Sequence, residues 1–353
     1  MMSHQKSTVQ ITGVDVFVGN NDLFAAELIE SIVGNVNSAG KGAKGANRKV
    51  SATSAHGLVF ASKNPDFKNT LDQFYYNLPD GMPIVWVGRM KGHSQMQRCS
   101  GVDMFEVVMK KTAAHNIKHF FCGGKEGVAD ELKKASAKDL GNPNVVGTYS
   151  PPFRLMTEEE FATLGKQINA SGANVVWIGL STPKQEVFAA SLAKHCSVDY
   201  IITVGAVFDF FTGNLERAPR WIQNIGLEWF YRLLKEPRRL FSRYFEVVPG
   251  FIALNLKELF SKKFLLVILI SIPSAIVADY FNIPLAWMLG PMLAVSIAAL
   301  SGLKIKMPKL ALSSILIVLG LHIGNYIDQN LINQMTEWVW TSIIMFVYIL
   351  ISI

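Results

Sequence analysis

The sequence predicts an α/β fold, in which a parallel sheet carries helices on both faces, followed by an arginine-rich helical appendage and about four transmembrane helices. Three observations support this prediction. Short apolar segments alternate with helical patterns between residues 50 and 204, as in βαβ units. Arginine and aromatic residues then recur near helical spacing up to residue 245, and apolar runs of membrane-spanning length follow residue 263.

The predicted sheet is Rossmann-like, because short strands and helices alternate along the chain. Strands are expected at residues 14–17, 50–54, 82–87, 117–124, 175–178 and 200–204, and helices at residues 21–32, 56–77, 101–116, 125–139, 158–169 and 183–194. Ligands of such sheets bind at the carboxyl ends of the strands. Residues 34–49 have the Gly, Asn and Lys content of a mobile linker, and an anion-binding loop is the alternative.

Charge divides the chain into an α/β domain (residues 1–215), a basic amphipathic appendage (216–262) and a transmembrane region (263–353). The whole chain carries a net charge of +7, and residues 217–263 alone hold 10 Lys and Arg against 4 Asp and Glu. A basic patch of this kind serves nucleic acid, anionic lipid or a diphosphate. The interleaved Trp, Leu and Phe side chains favour a membrane surface over nucleic acid.

The hydropathy pattern predicts a membrane protein. Hydrophobic residues make up 50% of the chain, the mean hydropathy is +0.26, and apolar runs occupy residues 264–281, 283–302, 310–327 and 339–353. Lysines precede the first run and separate the second from the third, which places the first domain on the cytoplasmic face of the membrane. Three scattered cysteines indicate neither a disulfide framework nor a zinc site, and the N-terminus lacks the pattern of a signal peptide.

Two turns of the predicted sheet are candidates for anion binding. Gly123 and Gly124 follow an apolar strand and open a helix, so their backbone N–H groups can approach a phosphate, although a simple tight turn is the alternative. No GxGxxG motif opens the first βαβ unit, which argues against a dehydrogenase. In the turn at residues 181–186, Glu186 can complete a capping box with Ser181 or Thr182. Lys184 is unfavourable in a first helical turn and therefore suggests a bound anion, and Gln185 suits a sugar or base hydroxyl.

Two acidic residues are further candidates. Asp80 lies in a Pro-Asp-Gly turn, and ordinary turn chemistry accounts for it. Asp209 lies in the apolar run VFDFF, where a base, a ribose contact or a buried ion pair would each explain a carboxylate. The histidines form no HExxH motif and no acidic pair resembles DxD, so neither a metal nor another cofactor is predicted. We interpret His115 and His119 as surface residues.

A series of motifs runs in order from about residue 14 to residue 256 and includes LPDGMPIVW, SGVDMF, FFCGGKEGVADEL, GTYSPPFR, WIGLSTPKQEVF, VGAVFDFFTG and RAPRWIQNIGLEWFYRLLKEPRRLFSRY. This series resembles the bacterial WecG/TagA/CpsF glycosyltransferases (glycosyltransferase family 26). The resemblance implies an inverting, metal-independent enzyme that transfers a sugar from a UDP-sugar to a polyprenyl-diphosphate-linked acceptor at the cytoplasmic membrane face.

The resemblance also implies roles for individual residues. Asp80 corresponds to the general base of the family, and Gln185 to a residue of the sugar site. The arginines of the appendage would meet the diphosphate, where a metal is otherwise needed: these are Arg217, Arg220, Arg232, Arg238, Arg239 and Arg243. The expected substrate-binding set is completed by Ser54, His56, Gly123, Gly124, Lys184, Glu186 and Asp209, while it stays open which of Thr53, Ser54 and His56 faces the site. Ser181 stands where the family usually has glycine.

The C-terminal motifs PLAWMLGPMLAVSIAALSG and LGLHIGNYID resemble part of the AbrB-like membrane protein family, whose activity we do not transfer. This region is either an anchor for the enzyme at its lipid substrate or the remainder of a truncated gene fusion. A membrane transporter or sensor with a nucleotide-sugar-binding domain is the alternative function. The sequence leaves open whether the sugar is N-acetylmannosamine, its uronate or a glucose-type hexose, and whether the chain forms a homo-oligomer.

Overall fold

A computed structural model of the chain describes residues 7–37, 45–259, 262–283 and 286–301. The chain forms two compact units, Met1–Ile272 and Pro273–Ile353. In the described residues, strands β1 to β8 cover Thr8–Ile11, Val14–Phe17, Arg48–Thr53, Tyr76–Pro79, His119–Gly123, Val145–Tyr149, Val175–Gly179 and Tyr200–Thr203. Helices α1 to α14 cover Asn21–Asn37, Ala55–Lys63, Pro65–Asp72, Met82–Met90, Gly101–Thr112, Val128–Asp139, Glu158–Ser171, Lys184–Leu192, Val207–Phe211, Arg220–Asn224, Glu228–Lys235, Pro237–Leu259, Lys262–Tyr280 and Ala286–Leu300.

The first unit contains a six-stranded sheet in the order β4-β3-β8-β7-β5-β6, and all of its neighbouring strands are parallel. A separate antiparallel pair, β1 and β2, lies next to β4. The chain leaves β5 toward β6 and leaves β7 toward β8, in opposite directions, so the direction of the strand order changes between β5 and β7, and ligands of such sheets bind at this position. The predicted α/β fold with a parallel sheet and flanking helices is confirmed.

Apolar side chains cover both faces of the sheet. On one face, α1, α5, α6 and α9 bury a cluster in which the Phe105 and Trp177 rings meet edge to face with centroids 4.8 Å apart. On the other face, α7 and α8 bury a second cluster around Phe161 and Phe188, whose centroids are 5.0 Å apart. Strands that are covered on both faces need continuous apolar residues, which explains the runs in β5, β7 and β8.

One boundary near the candidate site differs from the prediction. Residues 82–87 were expected to form a strand, but Tyr76–Pro79 forms the strand β4 and Met82–Met90 forms the helix α4. Periodicity cannot distinguish a short buried helix from a strand, and Pro83 is pre-set for a first helical turn. Asp80 therefore follows the carboxyl end of the strand β4 and does not lie in a turn before a strand.

Other boundaries also differ. Helix α1 continues to Asn37, so residues 34–37 are helical instead of part of the predicted loop, and residues 38–44 lie outside the described residues. The run VFDFF forms the short helix α9. The predicted helical appendage is divided into α10, α11 and α12, because Gly226 has a positive φ of 77° and Pro237 begins a new helix.

His119 is fully buried in β5, so its interpretation as a surface residue is wrong. Its Nδ1 accepts a hydrogen bond of 3.0 Å from Trp177 Nε1, and its Nε2 lies 2.9 Å from Thr112 Oγ1. Burial lowers the pKa of His119 to about 3. A neutral imidazole with its proton on Nε2 satisfies both contacts.

The C-terminal apolar runs give the helices α13 and α14. Within the described residues, none of the helices has both the length and the apolar composition that crossing a membrane requires. The predicted transmembrane helices are therefore not confirmed, and the third and fourth of them, at residues 310–327 and 339–353, fall outside the described part of the chain.

Candidate active site

Asp80 lies at the carboxyl end of β4, half-buried where α5 begins. Its Oδ1 accepts a hydrogen bond of 2.9 Å from the backbone N–H of Gly101, the first residue of α5. A Cβ at Gly101 would lie 2.6 Å from the Val204 carbonyl oxygen, so only glycine allows α5 to approach the sheet this closely. Asp80 is thus held against the amino terminus of a helix, where the dipole favours a negative charge.

Opposing effects act on the proton affinity of Asp80. Burial raises the pKa of Asp80 above its ordinary value and is the largest cause, while the Gly101 N–H lowers it. The charge of Glu228 raises the pKa further, and the charges of Arg98 and Arg232 lower it. The net result is a raised pKa. A carboxylate with a raised pKa is a stronger base than an ordinary aspartate, which suits proton abstraction.

Arg98 connects the beginning of α5 with the appendage. Its Nη2 lies 3.1 Å from Asp103 Oδ2 and donates to Gln223 Oε1 at 3.1 Å. Its Nη1 lies 2.9 Å from Glu228 Oε2. Only 15% of the Arg98 side chain is exposed, and ion pairs this well covered are costly to break. The appendage helices α10 and α11 are therefore joined to the rim of the site through one arginine.

Arg217 takes part in the same network. Its Nη1 lies 2.7 Å from Asp103 Oδ1, and Ser100 Oγ donates to Asp103 Oδ2 at 2.7 Å. Burial alone would raise the pKa of Asp103, but the hydrogen bonds from Arg217 and Ser100 and the charges of Arg217 and Arg98 outweigh it, so the pKa is lowered. Arg217 thus pairs with an internal carboxylate, so the structure uses it to hold the appendage.

The other predicted arginines differ in position. Arg232 is half-buried, and its guanidinium lies 5.6 Å from the centroid of the Phe210 ring, within electrostatic reach of Asp80. Four more are exposed: Arg220, Arg238, Arg239 and Arg243. Of the predicted set, Arg232 is thus the arginine that acts electrostatically on Asp80 and has no ion pair among the described contacts.

Ser54 and His56 follow β3, the neighbour of β4. Ser54 is the N-cap of α2, and its side chain makes no capping hydrogen bond. Burial lowers the pKa of His56, as does the charge of Arg243, whereas Glu246 opposes them. Thr53 is buried beneath this turn. The structure brings His56 together with Arg243 of α12, one strand away from Asp80.

The glycine turn lies at the other half of the same edge, after β5. Gly123 and Gly124 have positive φ values of 149° and 73°. A Cβ at Gly123 would lie 2.5 Å from the Gly179 carbonyl oxygen of β7, so any other residue would clash with the sheet. The turn therefore needs glycine for structural reasons. The Gly124 N–H, expected to approach a phosphate, donates instead to the Gly179 carbonyl oxygen at 3.2 Å.

A pocket of about 450 Å³ lies between the glycine turn and the loop that follows β6. Its lining residues include Gly124, Gly127, Asp130, Tyr149 and Phe153. Phe153 is 89% exposed. This volume is in the range of small-molecule sites.

The loop after β6 is fixed in place despite its exposure. Arg154 donates to both carboxylate oxygens of Glu160, at 2.7 and 2.6 Å. Thr157 caps α7 in a reciprocal capping box with Glu160. Two prolines precede Phe153 and restrict the backbone further. The Phe153 ring is therefore presented at the pocket by a braced loop.

Gln185 and Glu186 lie beneath the site, each 1% exposed. Gln185 Oε1 accepts from Gly205 N at 2.9 Å, and Gln185 Nε2 donates to Glu186 Oε1 at 2.9 Å. Glu186 Oε1 also accepts from Ser51 Oγ and Thr182 Oγ1, at 3.1 and 3.0 Å. The structure thus places Gln185 under the turns after β7 and β8, whereas a sugar contact was expected.

Lys184 and Glu186 are the other residues of the turn at 181–186 that were predicted to bind a ligand. Pro183 precedes the helix as its N-cap, and Lys184 begins α8 with an exposed side chain. Burial raises the pKa of Glu186, although three side-chain hydrogen bonds oppose it. Glu186 Oε2 is buried without a partner among the described contacts. The expected capping box is replaced by the Thr182 hydroxyl donating to the Glu186 carboxylate.

Asp209 is only half-buried, on α9 after β8. The two residues that flank Asp209 make the apolar contacts of this helix. Phe208 is buried against Gly179, and Phe210 lies under Arg232. Asp209 thus follows β8 at the carboxyl edge of the sheet, and its neighbour Phe210 contacts Arg232.

Sequence reasoning missed Arg98, Asp103 and Phe153. The spacing of Ser100 and Asp103 before an apolar run is a helix-start signal, and it is confirmed by the 3.2 Å bond from Asp103 N to Ser100 Oγ. No local pattern marks Arg98 as the partner of Glu228, because the two are 130 residues apart.

Comparison with known protein families gives two matches. Residues 16–264, which are 249 of the 353 residues, match the Glycosyl transferase WecG/TagA/CpsF family. Residues 251–353 match a family described as Transition state regulatory protein AbrB. Both resemblances seen in the sequence are confirmed.

Proposed function

Because the chain belongs to the WecG/TagA/CpsF family of glycosyl transferases, we propose that it is an inverting, metal-independent enzyme that transfers a hexose from a UDP-sugar to a polyprenyl-diphosphate-linked saccharide. The proposed role is cell-surface polysaccharide biosynthesis at the cytoplasmic face of the membrane. One observation carries the proposal: Asp80 lies at the carboxyl edge of the sheet, against the amino terminus of α5 and within electrostatic reach of Arg232.

The proposed reaction is a direct displacement. The acceptor hydroxyl oxygen forms a bond to the anomeric carbon of the donor, while the bond from that carbon to the diphosphate oxygen breaks. UDP leaves with the electron pair, and Asp80 takes the hydroxyl proton, which it later releases to solvent. Arg232 is placed to offset the negative charge that develops on the leaving diphosphate. No sequence feature resembles a metal-binding acidic pair.

The pocket between the glycine turn and the loop after β6 is the proposed donor-nucleotide site. Gly124 and Gly127 line this pocket, and both are half-buried. The Asp130 carboxylate suits ribose hydroxyls, as acidic residues do in related α/β sheets. The Phe153 ring offers a flat surface for the uracil base.

The appendage supports the proposed membrane location. Large apolar side chains of α11 and α12 are exposed, including Leu234 at 66%, Phe241 at 62% and Phe245 at 74%. Exposed arginines, among them Arg238 and Arg239, lie on the same segment. Apolar and cationic residues together suit an anionic lipid surface. We further propose that residues 263–353 hold the enzyme near its lipid acceptor.

A donor screen tests the proposed function. Purified full-length protein in detergent would be incubated with a polyprenyl-diphosphate-linked saccharide and, in turn, with the UDP-activated forms of N-acetylmannosamine, N-acetylmannosaminuronate and glucose. We expect UDP release that depends on the acceptor and persists in the presence of EDTA. UDP binding without acceptor-dependent release from any donor would contradict the proposal and support a transporter or sensor instead.

A further inference from the structure

Glu228, the first residue of α11, is the acidic residue of the appendage whose charge acts on Asp80. Its carboxylate is 22% exposed and pairs with Arg98 at 2.9 Å. The proposed reaction gives it no role, because it neither receives the acceptor proton nor carries the positive charge that a diphosphate needs. A negative charge that acts on a catalytic base calls for an explanation beyond its ion pair with Arg98.

Backbone hydrogen bonds bring Arg98, and with it Glu228, next to Asp80. Cys99 N donates to the Pro79 carbonyl oxygen at 2.8 Å, and Gly101 N donates to Asp80 Oδ1 at 2.9 Å. The segment 98–101 therefore runs along the end of β4. Because Arg98 belongs to this segment, its partner Glu228 reaches the same place only while α11 is docked there.

Asp80 is surrounded by charges of both signs. The charged or titratable groups that act on it or are acted on by it are Arg98, Arg217, Arg232, Glu228 and Cys99. Burial is the largest cause that raises the pKa of Asp80, and Glu228 is the one charge among those named that adds to it. Burial also raises the pKa of the Cys99 thiol to about 12, so this group is neutral at neutral pH.

We propose that Glu228 is a positioning residue that places a second negative charge beside Asp80 when α11 docks through Arg98, and that the appendage thereby sets the strength of the catalytic base. This inference rests on the proposed function. With the appendage undocked, Asp80 faces the arginine of its own segment without the opposing carboxylate and is a weaker base. Proton abstraction is then efficient only in the assembled site.

The variant Glu228→Gln tests this inference, because the amide keeps the size of the side chain and can accept from Arg98 but carries no charge. Removing a negative charge lowers the pKa of Asp80. The acid limb of kcat/KM for UDP release, where Asp80 becomes protonated, should therefore move to lower pH by about one unit. The plateau kcat should fall roughly threefold, because a weaker base abstracts a proton less efficiently.

Two further variants keep the test decisive. Glu216→Gln removes an acid of the same appendage that is 76% exposed and pairs with Lys235, and it should leave the limb unmoved. Glu228→Asp retains the charge and the ability to pair with Arg98, so its acid limb should stay at the wild-type pH. The inference would be overturned if the acid limb of kcat/KM stays at the wild-type pH in Glu228→Gln, or if it moves by the same amount in Glu228→Asp as in Glu228→Gln. Absence of transfer in the wild type would instead refute the proposed function.

Discussion

The two halves of the carboxyl edge of the sheet consist of different chemical groups. The half at β4 consists of charged side chains, Asp80, Arg98 and Glu228, that are brought together from distant parts of the chain. The half at β5 and β6 consists of glycine backbone and a braced loop with Phe153 at its tip. The first suits proton transfer and the second suits binding of a nucleotide. The difference implies that substitutions in the two halves should affect different kinetic constants.

The largest effect is expected for Asp80→Asn. The amide keeps the shape of the carboxylate but cannot accept the hydroxyl proton, so kcat for acceptor-dependent UDP release should fall about 10²–10⁴-fold. Asp66→Asn, which changes an exposed acid of α3, serves as the control and should retain wild-type turnover. Turnover of Asp80→Asn at the wild-type rate would remove Asp80 from its proposed role.

The next largest effect is expected for Arg98→Ala, which tests the charged half through its connection to the appendage. The substitution leaves Glu228 without its ion-pair partner in a covered site, whereas Asp103 keeps Arg217 and Ser100. Loss of one partner of a covered ion pair destabilises proteins by about 3–5 kcal/mol. Denaturant unfolding measures this change. In a double-mutant cycle with Glu228→Gln, the two losses should be less than additive. Additive losses would show that the pair at 2.9 Å contributes no coupling.

A smaller effect is expected for Phe153→Ala in the nucleotide half. Loss of a stacking surface for one base weakens binding by about 1–3 kcal/mol, so the KM for the donor should rise roughly tenfold while kcat stays near the wild-type value. Leu155→Ala removes an apolar side chain of the same loop that is 86% exposed, and its KM should not change. A fall in kcat without a change in KM would contradict this assignment.

The smallest effect is expected for Glu186→Gln. Glu186 is a buried residue of the first turn of α8. Burial raises the pKa of Glu186, so the folded protein holds this proton more tightly than the unfolded chain does. Its contribution to stability is present at low pH and is lost as pH rises through the folded-state pKa. The unfolding free energy of the variant, relative to the wild type, should therefore increase with pH by on the order of 1 kcal/mol. A constant difference between acidic and neutral pH would contradict this account.

The two halves of the carboxyl edge also differ in how much of each could be predicted from the sequence. The motif FFCGGKEG is contiguous, so its strand, its glycine turn and its helix could be predicted together, and the structure confirms them. The charged half could be predicted only in part, because the pairing of Arg98 with Glu228 spans 130 residues. Asp80 was identified through family resemblance, while its strand was misplaced because the helix α4 is too short and too apolar to differ from a strand in its pattern.

Gln185 shows a second limit of sequence reasoning. A polar side chain that follows a strand suggested a ligand contact, but its amide is used to join the turns after β7 and β8. Sequence patterns indicate on which edge of the sheet a residue lies. They do not indicate whether its hydrogen bonds are directed toward a ligand or toward the protein.

The central claim is that Asp80 acts on the acceptor while the pocket at Phe153 holds the nucleotide. The affinity for UDP, measured by calorimetry on the wild type, Asp80→Asn and Phe153→Ala, tests it most directly. We expect an unchanged affinity for UDP in Asp80→Asn and a roughly tenfold weaker affinity in Phe153→Ala. Weakened binding in Asp80→Asn together with wild-type affinity in Phe153→Ala would contradict it.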